Sequence, residues 1–276
     1  AYVTGNFGAS VFEMTAKSTA WGGEHKITAA DIQDQIAQIT PPDGYFPMHI
    51  VPLRYDTPSA RNMATPVGYT DRQLISAFGA IFYARARMDT VLAFLRRAHI
   101  TASAFYDPQF LLNATLRQKK QNVMFIDLGG EFSSASIWTD RGPVWHRKIP
   151  MGGTKITNTI SEKLHICFDD AERVKRAVAS FVPKEMDRFT PADTAYEFSR
   201  GDINDIFMPA MVDIAAEMTA AAHDAIIKYR PTKIILTGGG ALAEGATEFI
   251  ENTFSIPTEY ISGDAIVRAG CANIWN

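Results

Sequence analysis

The chain has 276 residues, of which 46% are apolar and 21% are charged, and its formal net charge is −3. These proportions are ordinary for a globular protein, and the small negative charge gives no electrostatic reason to expect nucleic acid as a partner. The two cysteines, Cys167 and Cys271, form neither a disulfide framework nor a metal-binding spacing, which fits a reducing cytoplasm. No run of about 18 apolar residues suggests a membrane span.

The first seventy residues predict short strands around a single helix. That helix is predicted over Thr28–Thr40, because Thr28 suits the N-cap position and Ile32, Ile36 and Ile39 recur at helical spacing. Two prolines directly after it predict its end.

Further strands and helices are predicted between residues 48 and 116. Met48–Leu53 reads as a strand, and Pro52 predicts that it lies at a sheet edge, because proline lacks a backbone donor. Leu74–Tyr83 predicts a buried strand, followed by a helix with an apolar face. A second helix is predicted through Phe110–Leu116.

The middle of the chain predicts three antiparallel strands followed by a helix, an order shared by actin-like and ribonuclease-H-like domains. The strands are Val123–Asp127, Ser133–Thr139 and Pro143–Pro150, and the helix is Lys155–Leu164. After a weakly patterned segment over 181–205, a long helix is predicted from Pro209 to about residue 229, with the proline in its first turn.

Two glycine-rich segments that precede predicted helices are candidate anion sites. Gly238–Gly240 lies between an apolar strand and a helix, where backbone N–H groups are free. It matches neither of the common nucleotide-binding fingerprints, and taken alone it is an ordinary tight turn. Gly152 and Gly153 precede a helix in the same way.

The turn after Asp127 allows two interpretations. Its glycines, Gly129 and Gly130, could bring backbone N–H groups close to a phosphate, while Asp127 holds Mg²⁺ through water. Equally, this is the usual composition of a β-hairpin turn. The residues alone favour neither interpretation.

Four segments occur in the order and spacing of the superfamily of actin, Hsp70 and the sugar kinases. They are Asp127–Ser133, Pro150–Gly153 with Ile156 and Thr157 after it, Asp170–Arg176, and Leu236–Ala241. More narrowly, these segments, with His49–Asp56 and Pro66–Gly68, resemble the family of the bacterial cell-division protein FtsA. The resemblance covers essentially the whole chain.

The resemblance implies an α/β, actin-like (ribonuclease-H-like) fold of two domains, with an FtsA-type inserted subdomain and an incomplete first domain. The inserted subdomain would be residues 1–72, and the remainder of the first domain would be 73–121 and 259–276. The second domain would be 122–258, with a small subdomain at about 181–231. We expect the first phosphate loop upstream of Ala1.

The resemblance also implies three catalytic candidates. Asp127 would sit beside Mg²⁺ as the metal ligand, and Asp107 or Gln109 would orient the attacking water. Helix capping by Asp107 is the alternative. The remaining matching residues would hold ATP: Gly129, Gly130, Glu131, Phe132 and Ser133 as the second phosphate loop, Gly152 and Gly153 at the terminal phosphate, Glu172, Lys175 and Arg176 around ribose and adenine, and Gly238, Gly239, Gly240 and Ala241 beneath the adenosine.

One departure from the family pattern bears on turnover. Glu131 and Phe132 stand where the second phosphate loop usually continues with glycine and threonine. A carboxylate near phosphates weakens binding unless a metal ion or a lysine offsets its charge. We therefore expect at most a slow ATPase.

By resemblance, the function is an ATP-binding scaffold that polymerises and links FtsZ to the inner face of the cell membrane at the division site. The FtsZ C-terminal tail would dock near the long helix, with Arg200 and Lys228 contributing charge, and the membrane would be reached only through a segment beyond this sequence. Two alternatives stay open: a non-hydrolysing scaffold of the pilus-assembly PilM type, and a sugar-kinase-like phosphotransferase.

Overall fold

A computed structural model describes residues 2–4, 10–102, 104–107, 109–110, 121–182, 188–190, 197–265 and 268. The described chain forms two compact units. The first runs up to Gln121 and includes Trp138–Trp145, and the second comprises Asn122–Ile137 and His146–Ala265.

The strands are β1 (Tyr2–Thr4), β2 (Ser10–Lys26), β3 (Tyr45–Asp56), β4 (Thr70–Ala84), β5 (Ala104–Tyr106), β6 (Val123–Leu128), β7 (Ser133–Thr139), β8 (Gly142–Ile149), β9 (Arg188–Phe189), β10 (Phe198–Ser199), β11 (Lys233–Thr237) and β12 (Thr258–Tyr260). The helices are α1 (Ala29–Ala37), α2 (Arg85–Arg97), α3 (Gly153–Leu164), α4 (Phe168–Val178), α5 (Arg200–Tyr229) and α6 (Ala246–Phe254), with a 3-10 turn at Gly239–Leu242.

The main sheet of the first unit has the order β2-β4-β3, and both outer strands run antiparallel to β4. The prediction of short strands is wrong in length, because β2 has 17 residues and pairs with almost the whole of β4. The edge position predicted from Pro52 is confirmed, since β3 is an outer strand. The boundary predicted after residue 72 falls inside β4, and residues on both sides of it pair with β2.

A capping box begins helix α1, and a buried side-chain amide holds the helix on this sheet. The predicted N-cap is confirmed, since Thr28 and Asp31 form a reciprocal capping box. The side chain of Gln35 is fully buried, and its Nε2 donates to Thr19 Oγ1 at 2.9 Å and to the carbonyl of Leu74 at 3.1 Å. These two bonds fix the helix to β2 and β4 at once.

The second unit is built on a five-stranded sheet of order β12-β11-β6-β7-β8. Strand β11 pairs in parallel with both β6 and β12, and the register places Thr237 opposite Asp127. The first four residues of β6 are fully buried. Because the two central strands run the same way, the turns that follow them emerge side by side at one edge of the sheet.

Helix α5 begins at Arg200, so the predicted start at Pro209 is wrong, and that proline lies in the helix interior. An interior proline loses one backbone hydrogen bond and usually kinks or ends a helix. Here the apolar face runs unbroken across it, because Ile203 and Phe207 are buried before the proline and Met211 after it. Packing on both sides of Pro209 therefore outweighs the local cost. No helix in the described part of the chain is both long and apolar enough to cross a membrane.

Two predicted segments lie largely outside the described residues. They are the helix over Phe110–Leu116 and the C-terminal part of the first domain at 259–276. The weakly patterned segment over 181–205 is described in part, and it contains β9, β10 and the first turns of α5.

Replacing Phe78 with alanine should lower the free energy of unfolding of the first unit by about 3–5 kcal/mol, because it opens a cavity in a closed cluster. Phe78 is fully buried beside Ile39 and Phe82 and packs edge-on against the ring of Tyr55. Guanidinium unfolding measures the change.

The matched control is Phe94→Ala on α2, whose side chain is 69% exposed. We expect it to change the free energy of unfolding by less than about 0.5 kcal/mol. Equal losses in the two variants would contradict the assignment of this core.

Candidate functional site

A cleft of about 580 Å³ lies wholly within the second unit. Its walls come from the turns after β6 and β11, the first turn of α3, the last turns of α4 and the N-terminal half of α5. The lining residues that the sequence predicted are Gly129, Gly130, Ser133, Gly152, Gly153, Glu172, Lys175, Arg176, Gly239 and Gly240. The fold thus brings together most of the residues proposed to hold a nucleotide.

The turn after β6 packs directly against the start of α3. The N–H groups of Gly153 and Thr154 donate to the carbonyls of Gly129 and Gly130, at 3.0 and 2.8 Å. A Cβ atom on Gly152 would lie 2.4 Å from the Gly130 oxygen, so only glycine allows this approach. Two amides that a helix N-terminus would otherwise offer to an anion are therefore engaged by the turn.

The turn after β11 is packed equally closely onto the end of β6. Gly238 has a φ of +93°, and a Cβ atom there would lie 2.4 Å from Asp127 Oδ1. A Cβ atom on Gly240 would lie 2.9 Å from the Leu128 Cβ, whereas Gly239 has no atom within 4 Å of the corresponding point. Both turns consequently bring bare backbone to the same edge of the sheet.

The side chain of Asp127 lies beside this second turn and is half-buried. Asp127 is not among the residues that line the cleft. Mg²⁺ keeps much of its water in proteins and often takes only one or two carboxylates, so a single acid at this strand end fits such an ion. Across the described residues, no group of three or more histidine, cysteine, aspartate or glutamate side chains is arranged to hold a metal.

An ion-pair cluster joins α3 and α4 at one wall of the cleft. Lys175 Nζ donates to Glu172 Oε2 at 2.6 Å, to Thr157 Oγ1 at 2.7 Å and to the Gly153 carbonyl at 2.9 Å. Arg176 Nε donates to the other carboxylate oxygen of Glu172 at 2.7 Å. The Lys175 side chain is 14% exposed, whereas that of Arg176 is 77% exposed.

This cluster keeps Glu172 ionised. Burial raises the pKa of Glu172, but hydrogen bonds from Lys175, Thr157 and Arg176, with the charge of Lys175, outweigh it and lower the pKa from 4.5 to about 2. At neutral pH the ionised carboxylate therefore offsets one of the two positive charges that donate to it.

Ser133 presents a buried hydroxyl to the cleft. Ser133 is 1% exposed, and its Oγ has no hydrogen-bond partner among the described residues. Leaving a buried hydroxyl unpaired costs free energy, so a ligand oxygen or a water at this point would stabilise the site. Its neighbours in the turn differ, since Glu131 is exposed and Phe132 is half-buried.

Asp107 and Gln109 belong to the first unit, where both serve the fold. Asp107 Oδ1 accepts from the N–H groups of Gln109 and Phe110 at 2.9 and 3.3 Å, which is helix capping. Its Oδ2 accepts from the Tyr83 hydroxyl at 3.0 Å, and Gln109 Oε1 accepts from Trp138 Nε1 at 3.2 Å. The capping interpretation of Asp107 is therefore confirmed.

A half-buried histidine completes this arrangement. His49 Nε2 accepts from the N–H of Asp107 at 3.1 Å, and its ring stacks on Phe110 with centroids 4.0 Å apart. Burial lowers the pKa of His49 to about 4, so the ring is neutral at pH 7 and can accept this hydrogen bond.

Several lining residues were missed by the sequence analysis. Phe207, Met211 and Ile214 on α5 form an apolar wall, and Arg200 and Ser180 lie near them. The three apolar residues recur at helical spacing across Pro209. That spacing was the available signal, and the assignment of the proline to a first turn concealed it.

Comparison with known proteins assigns residues 124–272 to a family model described as cell division protein FtsA. The FtsA protein of Pseudomonas aeruginosa is 28% identical over 157 residues, which cover 51% of this chain and 36% of that protein. The FtsA protein of Bacillus subtilis is 23% identical over 176 residues, covering 56% of this chain and 40% of that protein. The chain thus matches well under half the length of these curated relatives.

Solved structures share the fold along more of the chain. A structure of the PilM-PilN type IV pilus biogenesis complex aligns with 96% of this chain and 70% of its own, with a TM-score of 0.65 and 17% identity. MreB5 of Spiroplasma citri bound to AMPPNP aligns with 68% of this chain and 64% of its own, with a TM-score of 0.52 and 18% identity. The predicted actin-like α/β fold is confirmed.

The stability of the second unit should depend on pH through Glu172. Because its pKa is lowered in the folded protein, ionised Glu172 stabilises the fold above pH 4.5, and this stabilisation is lost as the pH falls from 4.5 towards 2. At pH 7 we expect Glu172→Gln to lower the free energy of unfolding by at most about 3 kcal/mol. The difference from the wild type should shrink below pH 4.5 in denaturant titrations.

Glu131→Gln is the control, since its carboxylate is exposed in the turn. It should change the free energy of unfolding by less than about 0.5 kcal/mol at every pH. A loss in Glu172→Gln that stays constant from pH 7 to pH 3 would contradict the ion-pair account.

Proposed function

Because the chain belongs to the family of the cell division protein FtsA, we propose that it is an actin-like, nucleotide-binding scaffold of bacterial cell division. The observation that supports nucleotide binding is the cleft of the second unit. Two glycine turns, an ion-pair cluster and an apolar wall surround a volume of about 580 Å³, well within the range of small-molecule sites.

ATP would occupy this cleft with its phosphates towards the two turns. Gly129 and Gly130 offer close approach of backbone, and the buried Ser133 hydroxyl would donate to a phosphate oxygen. Glu172 would accept from a ribose hydroxyl. The base would lie towards the apolar side chains of Phe207 and Met211.

Asp127 would hold Mg²⁺ beside the phosphates, mostly through water. When bound, the ion would neutralise phosphate charge. Turnover would be slow, because Asp107 and Gln109 already engage their side chains in capping and in a bond to Trp138. Nucleotide would then act as a conformational ligand, which binds one state of the protein better than another.

Lys175→Met should weaken Mg-ATP binding at least about tenfold in titration calorimetry, because it removes an ammonium that positions Glu172 and the start of α3. Arg176→Met is the matched control from the same cluster. Its side chain is 77% exposed, and we expect less than a threefold change.

Equal affinities of the two variants would remove the cluster from the nucleotide site. Phosphate release at the roughly 1–10³ s⁻¹ of ordinary enzymes would instead support the phosphotransferase alternative.

In the cell, the scaffold would self-associate and link FtsZ to the inner face of the membrane at the division site. The C-terminal tail of FtsZ would dock on the exposed face of α5. Val212 and Ile227 are large apolar side chains on this helix, 49% and 60% exposed. They lie about four turns apart, roughly 22 Å, which a short amphipathic helix can span.

The sequence analysis suggested that Arg200 and Lys228 contribute charge to the contact with the FtsZ tail, and we correct this suggestion. Arg200 and Lys228 lie at opposite ends of the 30-residue α5, which is about 45 Å long, and Arg200 lines the nucleotide cleft. One short helix therefore has no reach to both. The exposed face between them also carries the acidic Asp213 and Glu217, so apolar anchors matter more than basic charge.

Val212→Asp combined with Ile227→Asp should abolish micromolar-scale binding of a labelled FtsZ tail peptide, because both apolar anchors become charged. Met14→Asp, which changes a side chain of the first unit that is similarly exposed, should leave binding unchanged. Fluorescence anisotropy measures both. Full binding by the double variant would place the peptide elsewhere.

A scaffold of the PilM type is the second candidate. The observation that favours it is the alignment of the PilM-PilN structure with 96% of this chain, whereas the FtsA family model begins at residue 124. A PilM-type protein would bind the PilN protein of its own organism and leave the FtsZ tail unbound. Parallel titrations with the two partners distinguish the candidates.

A further inference from the structure

The two outer strands of the first unit's main sheet differ in how their outward edges are built. Strand β3 contains Pro47 and Pro52, and its ladder with β4 is irregular beside each of them. Prolines and bulges keep an outer strand from pairing with another chain. Strand β2, by contrast, has a regular ladder with β4 over Ser10–Ala20, and this stretch contains no proline. Across the described residues β2 pairs with β4 alone, so its outward edge presents unpaired backbone groups.

The charges of this regular stretch are symmetric about its midpoint. Thr15 lies equally far from Ser10 and Ala20, and the only charged residues between them are Glu13 and Lys17, one on each side of Thr15 at the same distance. Glu13 is exposed and Lys17 is half-buried, and neither has an ion-pair or hydrogen-bond partner in the described part of the chain. Because side chains alternate along a strand, Glu13, Thr15 and Lys17 lie on the same face of the sheet.

A second copy of the chain can pair with this edge through a two-fold axis. In an antiparallel pair, a residue whose N–H and C=O point outward faces another that does the same, so the axis passes through a residue and not between two. With the axis at Thr15, Glu13 of each copy lies opposite Lys17 of the other. Directly opposed side chains have Cβ atoms about 4.5–5.5 Å apart, which allows an ion pair.

The charges distinguish this register from its neighbours. An axis at Glu13 or at Lys17 would place like charges opposite each other, and an axis at Met14 or at Ala16 would leave both charges without a charged partner. A lysine on an outer strand usually protects that strand from pairing. Here the acid of the same strand supplies its partner in a second copy, in one register alone.

We propose that two copies of the chain pair antiparallel through the Ser10–Ala20 edge of β2, with the two-fold axis at Thr15. The contact joins two three-stranded sheets into one continuous sheet and adds about ten backbone hydrogen bonds. It is isologous and closes at two copies, because each copy uses the same edge. This inference rests on the self-association in the proposed function, to which it gives a defined contact, and it is independent of nucleotide and of FtsZ.

Sedimentation velocity of the chain measures the pairing. We expect the wild type to form a reversible dimer with a micromolar-scale dissociation constant. Glu13→Lys places lysines opposite each other at two positions of the contact, and Lys17→Glu does the same with glutamates. Each variant should therefore dimerise about tenfold more weakly than the wild type.

Mixing the two variants tests the register directly. When a Glu13→Lys copy pairs with a Lys17→Glu copy, both opposed positions again carry opposite charges. An equimolar mixture should dimerise about as strongly as the wild type, although neither variant does so alone. The matched control is Glu24→Lys, which makes the same change of charge at an exposed position of β2 beyond Ala20, within its irregular part. It should dimerise like the wild type.

Cross-linking tests the same register without a change of charge. Thr15→Cys would place two thiols opposite each other across the axis, at a Cα separation that a disulfide allows. Ser18→Cys lies opposite Phe12 of the second copy and far from its own counterpart. In a background of Cys167→Ser and Cys271→Ser, oxidation should give a covalent dimer for Thr15→Cys alone. Circular dichroism verifies folding, and if a charge variant fails to fold, the cross-link decides.

The outcomes separate the inference from the proposed function. An equimolar mixture that stays as monomeric as its components, equal cross-linking of Thr15→Cys and Ser18→Cys, or equal weakening by Glu24→Lys overturns the pairing through β2. Assembly of the wild type that both charge variants leave unchanged also overturns it, and leaves the proposed self-association standing through another surface. A folded wild type that stays monomeric with and without Mg-ATP overturns this inference together with the proposed self-association.

Discussion

The parallel pairing of β6 with β11 is the constraint on which the cleft of the second unit depends. It places Asp127 opposite Thr237, so that the turns following the two strands emerge at the same edge. Those turns then pack so closely that a Cβ atom on Gly152 or Gly238 would collide with neighbouring oxygens. The glycines are therefore needed first for the contact between elements, and this contact brings bare backbone to the wall of the cleft.

Much of the cleft's polar chemistry is already paired within the protein. The first amides of α3 donate to the glycine turn, and Lys175 is bonded to Glu172, Thr157 and a carbonyl. A ligand entering here would exchange existing hydrogen bonds for new ones, which limits the net gain. The unpaired Ser133 hydroxyl differs, because a ligand bond to it adds to the total.

The family model and the solved structures match different parts of the chain. The FtsA family model begins at residue 124, within β6, whereas the likeness to the PilM structure extends over 96% of the chain. The match to the family model therefore lies almost wholly in the second unit, and the likeness of fold extends over both units.

The sequence by itself determined the features that neighbouring residues encode: the cap at Thr28, the edge position of Pro52, the order of strands and helix after residue 122, and the motifs that mark the family. Tertiary structure decided the rest. Pro209 is tolerated inside α5 because buried side chains lie on both sides of it, and Lys148 reaches Phe132 only through the arrangement of strands β7 and β8. Local patterns report backbone propensity and burial, whereas such contacts depend on packing and strand register between segments distant in sequence, which no short window of residues contains.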